Sequence, residues 1–445
     1  MTHLAHYYVS GLAADDYSIK VPLDWNSPDK GDISIFYRVV TSAQNEGRDL
    51  PLLVYLQGGP GGAGPRPSGG GWLEQACKHF RVVLPDQRGT GRSERIDSNY
   101  AARFDSPADL AANLKLFLAD SIIRDFEYIR KTQFSSRKWT TLGQSYGGFL
   151  TLAYLSLFPE ALAASFVTGG IMHVPGNAAE VYSHTVPRMI KKSEEFYGRY
   201  PVDIARAAAV ADILEEKNIE RGDGNILSVR RFQMAGNRFG MKPGFEQLHW
   251  LLDEAFALGD GSVFEKTDPL KLSLSDGFVD NIISRTGSAS NPLYWTLQEF
   301  IYCNEECEPA NWAAAREISK YDKLSEKARP IMFFGEAALP EMFEQDPALR
   351  PFHAAVDILM QESRWGKIYD AASLASNEVP LQAAVYFDDL YVDSALQLDT
   401  LSRTGNSYAW VTNEYEHDGV HNGRVFEHLY EEMLNRGDLR EALSS

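Results

Sequence analysis

The chain has 445 residues, 44% of them hydrophobic and 23% charged, which suits one large core with an insertion and is ordinary for a soluble globular protein. A formal charge of −18 argues against nucleic acid and anionic membrane as partners, because both repel an acidic surface, whereas a positively charged substrate is compatible with it. No apolar run reaches the roughly 18 residues that suggest a membrane span, and the start lacks the basic-then-apolar pattern of a secretory signal. Three cysteines, Cys77, Cys303 and Cys307, cannot build a disulfide framework. Cys303 and Cys307 could share a helix face, but without nearby histidines they make a poor zinc site, so reduced thiols in a cytoplasmic setting are expected.

In chain order, 33–40 (ISIFYRVV) alternates like a half-buried strand. Residues 52–56 (LLVYL) and 82–84 are short apolar runs ending in turn-like sequence, as buried parallel strands do. Ser106-Pro107 supplies a cap and a first-turn proline for a helix through about Arg130, with Leu110, Leu114 and Phe117 on one face. Residues 139–142 form the next strand, GQSYGGFLTLAYLSLF a helix stopped by Pro159, and 164–167 a further strand. Repeated β-α-β units predict a mostly parallel central sheet covered on both faces. From about residue 171 the texture turns helical, over 178–197, 202–216 and 244–258, with breaks at 222–224 and 286–290. Strand signal returns near Pro380 in LQAAVYF and again in SYAWVT, before a last helix from about Arg424. The expected organisation is an α/β core of residues 1–170 and 379–445, with a mainly helical cap of residues 171–378 inserted before the late strands.

Gly143-Gln144-Ser145-Tyr146-Gly147-Gly148 fits G-x-S-x-G between a predicted strand and a predicted helix. A sharp strand-to-helix turn strains the serine backbone and leaves no room for side chains two residues either side. It also exposes the serine oxygen at a helix N-terminus, so Ser145 is the expected nucleophile of an α/β-hydrolase fold. Gln57-Gly58-Gly59-Pro60-Gly61-Gly62 follows the strand LLVYL. A tetrahedral intermediate needs two N–H groups aimed at its oxygen, and Gly59 and Tyr146 are the expected donors. The acid and base follow the serine in this fold. LQAAVYFDDLYVD offers Asp388, Asp389 and Asp393, while NEYEHDGVHNG offers His417 and His421. His417 lies nearer the strand end, which favours Asp389 with His417 over Asp388 with His421. His428 falls in the last helix, and the seven earlier histidines read as structural.

Three segments together, GGPGG at 58–62, DQRGTGRS at 86–93 and GQSYGG at 143–148, resemble the prolyl aminopeptidases (proline iminopeptidases) of the α/β-hydrolase superfamily, especially the larger bacterial members with an enlarged cap. The middle segment is the most informative, being much rarer than either glycine motif. The resemblance extends to Asp389-Leu-Tyr-Val392 and favours Asp389 and His417 as acid and base. It implies that two cap carboxylates, at Glu299 in LQEFIYCN and Glu336 in FFGEAALPEMF, hold the free amino end of a small peptide. A protonated terminus in a partly dry pocket needs paired negative charge. The chain departs from the family at Gln57, where many relatives have histidine, and at Tyr146, where tryptophan is common. Residues 337–341 also lack the aromatic side chains of close relatives. Arg88 and Arg92 read as ties between loops. The expectation is a serine exopeptidase that releases an N-terminal residue, preferably proline, with no metal or organic cofactor. The rivals are an esterase or amidase of the same fold and a non-catalytic binding protein.

Overall fold

The computed structural model describes residues 1–258, 264–268 and 271–444. Its strands are β1 (Thr2–Val9), β2 (Leu12–Pro22), β3 (Asp32–Ser42), β4 (Leu52–Leu56), β5 (Arg81–Pro85), β6 (Trp139–Gln144), β7 (Leu162–Thr168), β8 (Ile219–Glu220), β9 (Ile226–Leu227), β10 (Leu381–Tyr386) and β11 (Ser407–Thr412). Nine of them form one sheet in the order β1-β2-β3-β5-β4-β6-β7-β10-β11. The pairs from β1 to β5 are antiparallel, and every pair from β5 to β11 is parallel.

Side chains on successive positions of a strand point to opposite faces, and β4 displays the result. Leu52, Val54 and Leu56 enter one apolar core while Leu53 and Tyr55 enter the other. Both faces are therefore covered, which is why β4 reads as an unbroken apolar run. Helix Gly71–Ala76 and helix Gly423–Arg436 cover one face, the latter through Phe426, Leu429 and Met433. Helix Ala119–Gln133 and helix Tyr146–Leu157 cover the other.

β5 and β6 lie on opposite sides of β4. The carboxyl ends of β4 and β6 thus meet where the strand order reverses, the position at which open α/β sheets take their ligands. Both candidate glycine motifs start there, and Leu56 pairs with Gly143 in the last rung.

Two local expectations are corrected and one element is new. The chain begins with the hairpin β1–β2, which no apolar alternation marks because β1 is almost wholly exposed. The single helix expected over 106–130 is two, Pro107–Leu114 and Ala119–Gln133, joined by a tight turn at Lys115–Phe117 and an extended Leu118. The break frees the Leu116 carbonyl to accept the Arg88 guanidinium at 2.7 Å. The helix expected over 244–258 ends at Asp253, and Phe256 instead bridges Leu274.

Among the described residues between β7 and β10, only the two-residue strands β8 and β9 interrupt the helices, the longest being Ala178–Arg199. This segment is fastened to the sheet's carboxyl edge by Arg95 on the Ala289 and Ser290 carbonyls (2.9 and 3.0 Å) and by the Lys115–Glu362 ion pair (2.8 Å). No described helix is long and apolar enough to cross a membrane.

Candidate active site

Ser145 joins β6 to helix Tyr146–Leu157 with φ 55° and ψ −126°. A non-glycine residue pays for such a conformation, and it persists only where its surroundings enforce it. They do so here through close approach. A β-carbon on Gly147 would stand 1.8 Å from the Leu56 carbonyl oxygen, and one on Gly143 would stand 2.3 Å from that of Gly147. The Ser145 N–H donates to the Thr168 carbonyl at 3.1 Å, and its own carbonyl accepts from Gly148 at 2.8 Å. The side chain is left at the amino end of a twelve-residue helix, where the dipole favours negative charge.

Of the acid and base candidates, the structure brings together Asp389 and His417. Asp389 Oδ2 lies 2.8 Å from His417 Nδ1, with both residues buried. Asp389 Oδ1 accepts the N–H groups of Tyr391 (2.8 Å) and Val392 (3.0 Å), which fixes the carboxylate in place. Burial by itself would lower the imidazole pKa. The charge and hydrogen bond of Asp389, with the charges of Glu336 and Asp418, outweigh burial and hold it above its ordinary value. The Tyr391 ring packs against the imidazole at 4.4 Å. Asp388 is drawn outward to Lys191 at 3.6 Å. Asp393 caps helix Ser394–Ser402 and pairs with Arg188 at 2.7 Å. His421 is exposed, and His428 packs at a tilt against Trp410.

The glycine loop lies beside the nucleophile. A β-carbon on Gly58 would touch Ser145 Cβ at 3.0 Å, and Gly59 takes φ +126°, which L side chains rarely adopt. The segment 86–93 braces this loop. Gln87 Nε2 donates to the Gln57 carbonyl at 2.8 Å. Buried Asp86 accepts from the N–H groups of Gly64 (2.8 Å) and Arg92 (2.7 Å) and from the Arg66 guanidinium. Arg88 is sealed in the core on Asp125 (2.6 and 2.8 Å) and the carbonyls of Pro22, Leu23 and Leu116. Arg92 reaches Asp16. Arg88 therefore ties two connections and a helix to this segment, and Arg92 ties it to β2. The bracing by Asp86 and Gln87 was signalled only by the rarity of the motif.

The two carboxylates of the inserted segment have different surroundings. Glu299 is fully buried, and its oxygens accept the N–H groups of Ala313 (2.8 Å) and Ala314 (3.0 Å). Glu336 keeps part of its surface open and accepts the Tyr294 hydroxyl. Burial pushes each carboxyl up to about 7, against the amide bonds at Glu299 and the Tyr294 bond and His417 charge at Glu336. Glu336 lies close enough to the Asp389–His417 couple for their charges to act on one another. Four tyrosines, Tyr182, Tyr294, Tyr302 and Tyr391, also lie within reach of its charge. Tyr294 and Tyr302 share one stretch, 293–302, whereas Tyr182 and Tyr391 come from distant parts of the chain, so no single local pattern announces the four. Tyr294 bonds to Glu336 directly, an aromatic contact that residues 337–341 do not provide. Among the described residues no group of histidine, cysteine, aspartate and glutamate is arranged to hold a metal ion.

The sequence pattern of the alpha/beta hydrolase fold family matches residues 51–209. A proline iminopeptidase of Aeromonas sobria is 38% identical over 94% of this chain and 96% of its own length. A second, of Aspergillus aculeatus, is 31% identical over 91% of this chain and 90% of its own. A third, of Saccharolobus solfataricus, is 30% identical over 40% of this chain and 46% of its own. With two relatives matched nearly end to end around the elbow, glycine loop and braced acid–base couple, the chain belongs to the proline iminopeptidase family of the α/β-hydrolase fold.

Proposed function

We propose that the protein is a serine exopeptidase, a prolyl aminopeptidase that removes N-terminal proline from small peptides with a free amino end. The observation that carries the reading is the position of Glu336, a partly open carboxylate among tyrosines within charge reach of Asp389 and His417. An esterase acting on neutral substrates has no use for such a group there, because a largely desolvated carboxylate with no cation beside it is costly.

In the proposed reaction the amino end enters between the sheet and residues 171–378, which act as the cap. Glu336 holds the cation, with Glu299 adding negative charge from behind. His417, oriented by Asp389, takes the proton of the Ser145 hydroxyl as its oxygen attacks the first peptide carbonyl. The N–H groups of Gly59 and Tyr146 stabilise the oxyanion. His417 then protonates the leaving amine, and water attacks the acyl-enzyme with His417 again as base. The loop 58–62 packs directly on the segment carrying Tyr294 through Gly61, Asn291 and Leu293. In the proposed reaction a single residue spans from the anchored amine to the nucleophile. No metal or cofactor enters these steps. Three free thiols suit a cytoplasmic setting.

Turnover of a prolyl arylamide should exceed that of its N-acetyl counterpart by a large factor; equal rates would remove the reading. Labelling by a fluorophosphonate should vanish in Ser145→Ala.

A further inference from the structure

The loop that carries His417 is gripped by the inserted segment. The His417 N–H donates to the Gly240 carbonyl at 3.0 Å. Lys242 donates from Nζ to the Glu414 carbonyl (2.9 Å) and from its N–H to Asp418 Oδ1 (3.4 Å). From helix Ala178–Arg199, Lys192 Nζ lies 3.0 Å from Glu416 Oε1. The sheet reaches this loop at longer range, Gln144 Nε2 meeting the His417 carbonyl at 3.4 Å. The acid turn rests on the same place. A β-carbon on Gly240 would stand 2.4 Å from Tyr391 Cε2 and 2.8 Å from Leu390 Cβ, and the Tyr391 hydroxyl donates to the Asn237 carbonyl. Residues 237–242 therefore back both the turn after Asp389 and the loop of His417.

The two lysines differ in burial. Lys242 is exposed, where a charged contact is weak. Lys192 is only 8% exposed, and Glu416 is half-buried. Lysine is seldom buried without a partner, and an ion pair shielded from water is screened less than one on the surface. Glu416 is the residue before His417, so holding its side chain holds the peptide that leads into the histidine. The reaction described above gives neither Lys192 nor Glu416 a task.

We propose that Lys192, helped by Lys242, is a positioning residue: through its ion pair with Glu416 it holds the loop of His417 against the inserted segment. This rests on the reading of Asp389 and His417 as acid and base. The part of the chain that carries the amine anchor Glu336 then also carries the support of the base, and the imidazole keeps its place only while that part is seated on the sheet.

The test uses Lys192→Met, which keeps the stem beside Phe245 and removes the ammonium. Misplacing a catalytic group by about 1 Å can cost on the order of 10²-fold, so kcat on a prolyl arylamide should fall by about 10- to 100-fold. The rate of fluorophosphonate labelling should fall with it, since both reactions need the base. Competitive inhibition by pyrrolidinium, which needs the anchor and no base, should be unchanged. Lys192→Arg keeps the charge and should recover most of kcat. Lys192→Met combined with Glu416→Leu should be no worse than the more damaging single change, because both remove one contact. Lys242→Met, at an exposed site, should show the same pattern with a several-fold loss, and it carries the test if Lys192→Met does not fold. Unchanged kcat, losses that multiply in the double variant, or inhibition weakened as much as kcat overturns the proposal. Wild-type labelling that survives in His417→Ala overturns instead the assignment of the base on which it rests.

Discussion

The two oxygens of Asp389 have separate tasks, one bound by the Tyr391 and Val392 amides and one by His417. In Asp389→Asn the amide must turn its oxygen to those N–H groups and its NH2 to Nδ1, which forces the wrong imidazole tautomer. The expected result is a fall in kcat of about 10⁴-fold with KM little changed, measured on a prolyl arylamide. Glu336 makes a second, pH-dependent prediction. Its carboxyl titrates at about 7, and only the ionised form attracts a cation, so kcat/KM for a prolyl substrate should fall as pH drops through about 7. A neutral ester senses only His417, which must be unprotonated to act as base. The charge of Glu336 helps hold that imidazole's pKa up. Glu336→Gln should therefore move the acid limb for the ester to lower pH while sharply raising KM for the prolyl arylamide. A limb that stays put in the variant would mean that Glu336 and His417 do not sense each other.

At the scale of elements, the buried Arg88–Asp125 pair locks the segment 86–93 to helix Ala119–Gln133. Removing one member leaves a charge buried and uncompensated, so Arg88→Met should cost about 3–5 kcal/mol in urea denaturation. Arg88→Met with Asp125→Asn should cost less than the single change, because the orphan charge is gone. The same pair explains what could be read from the sequence and what could not. β4 and β5 were legible because burial on both faces leaves short apolar runs, LLVYL and VVL. The elbow was legible because Gly143 and Gly147 have no room for a β-carbon. The helix break before Ala119 was not. No glycine or proline stands at 115–118, and the break serves Arg88 from another part of the chain. The hairpin β1–β2 hid because the exposed strand β1, THLAHYYV, shows no core-facing alternation. Ser10-Gly11, at φ 50° and 79°, was its one readable signal, the left-handed pair that a tight hairpin requires. The surroundings of Glu336 were half legible, since the motif-bearing carboxylates stood out and the tyrosines did not.

For the molecule as a whole, the chemistry depends on two separately built parts keeping register. The sheet carries Ser145, Asp389 and His417, while the inserted segment carries Tyr294 and Glu336. They meet at Gly61, with φ +70°, where an added β-carbon would lie 2.6 Å from both Asn291 Oδ1 and Leu293 Cβ. Asn291 also donates to the Pro60 carbonyl at 3.3 Å. The loop with the Gly59 amide and the helix with Tyr294 therefore rest on one another, and no sheet strand lies between them. Gly61→Ala should wedge this seam apart and leave the apolar cores on the two faces of the sheet intact. A displacement of about 1 Å between anchor and nucleophile can cost on the order of 10²-fold in rate. Prolyl arylamide turnover in Gly61→Ala should fall by that order. Fluorophosphonate labelling of Ser145, which needs no amine anchor, should fall much less. Equal losses in the two assays would place the damage in the oxyanion loop itself, and the seam would then not be what sets the distance from amine to nucleophile.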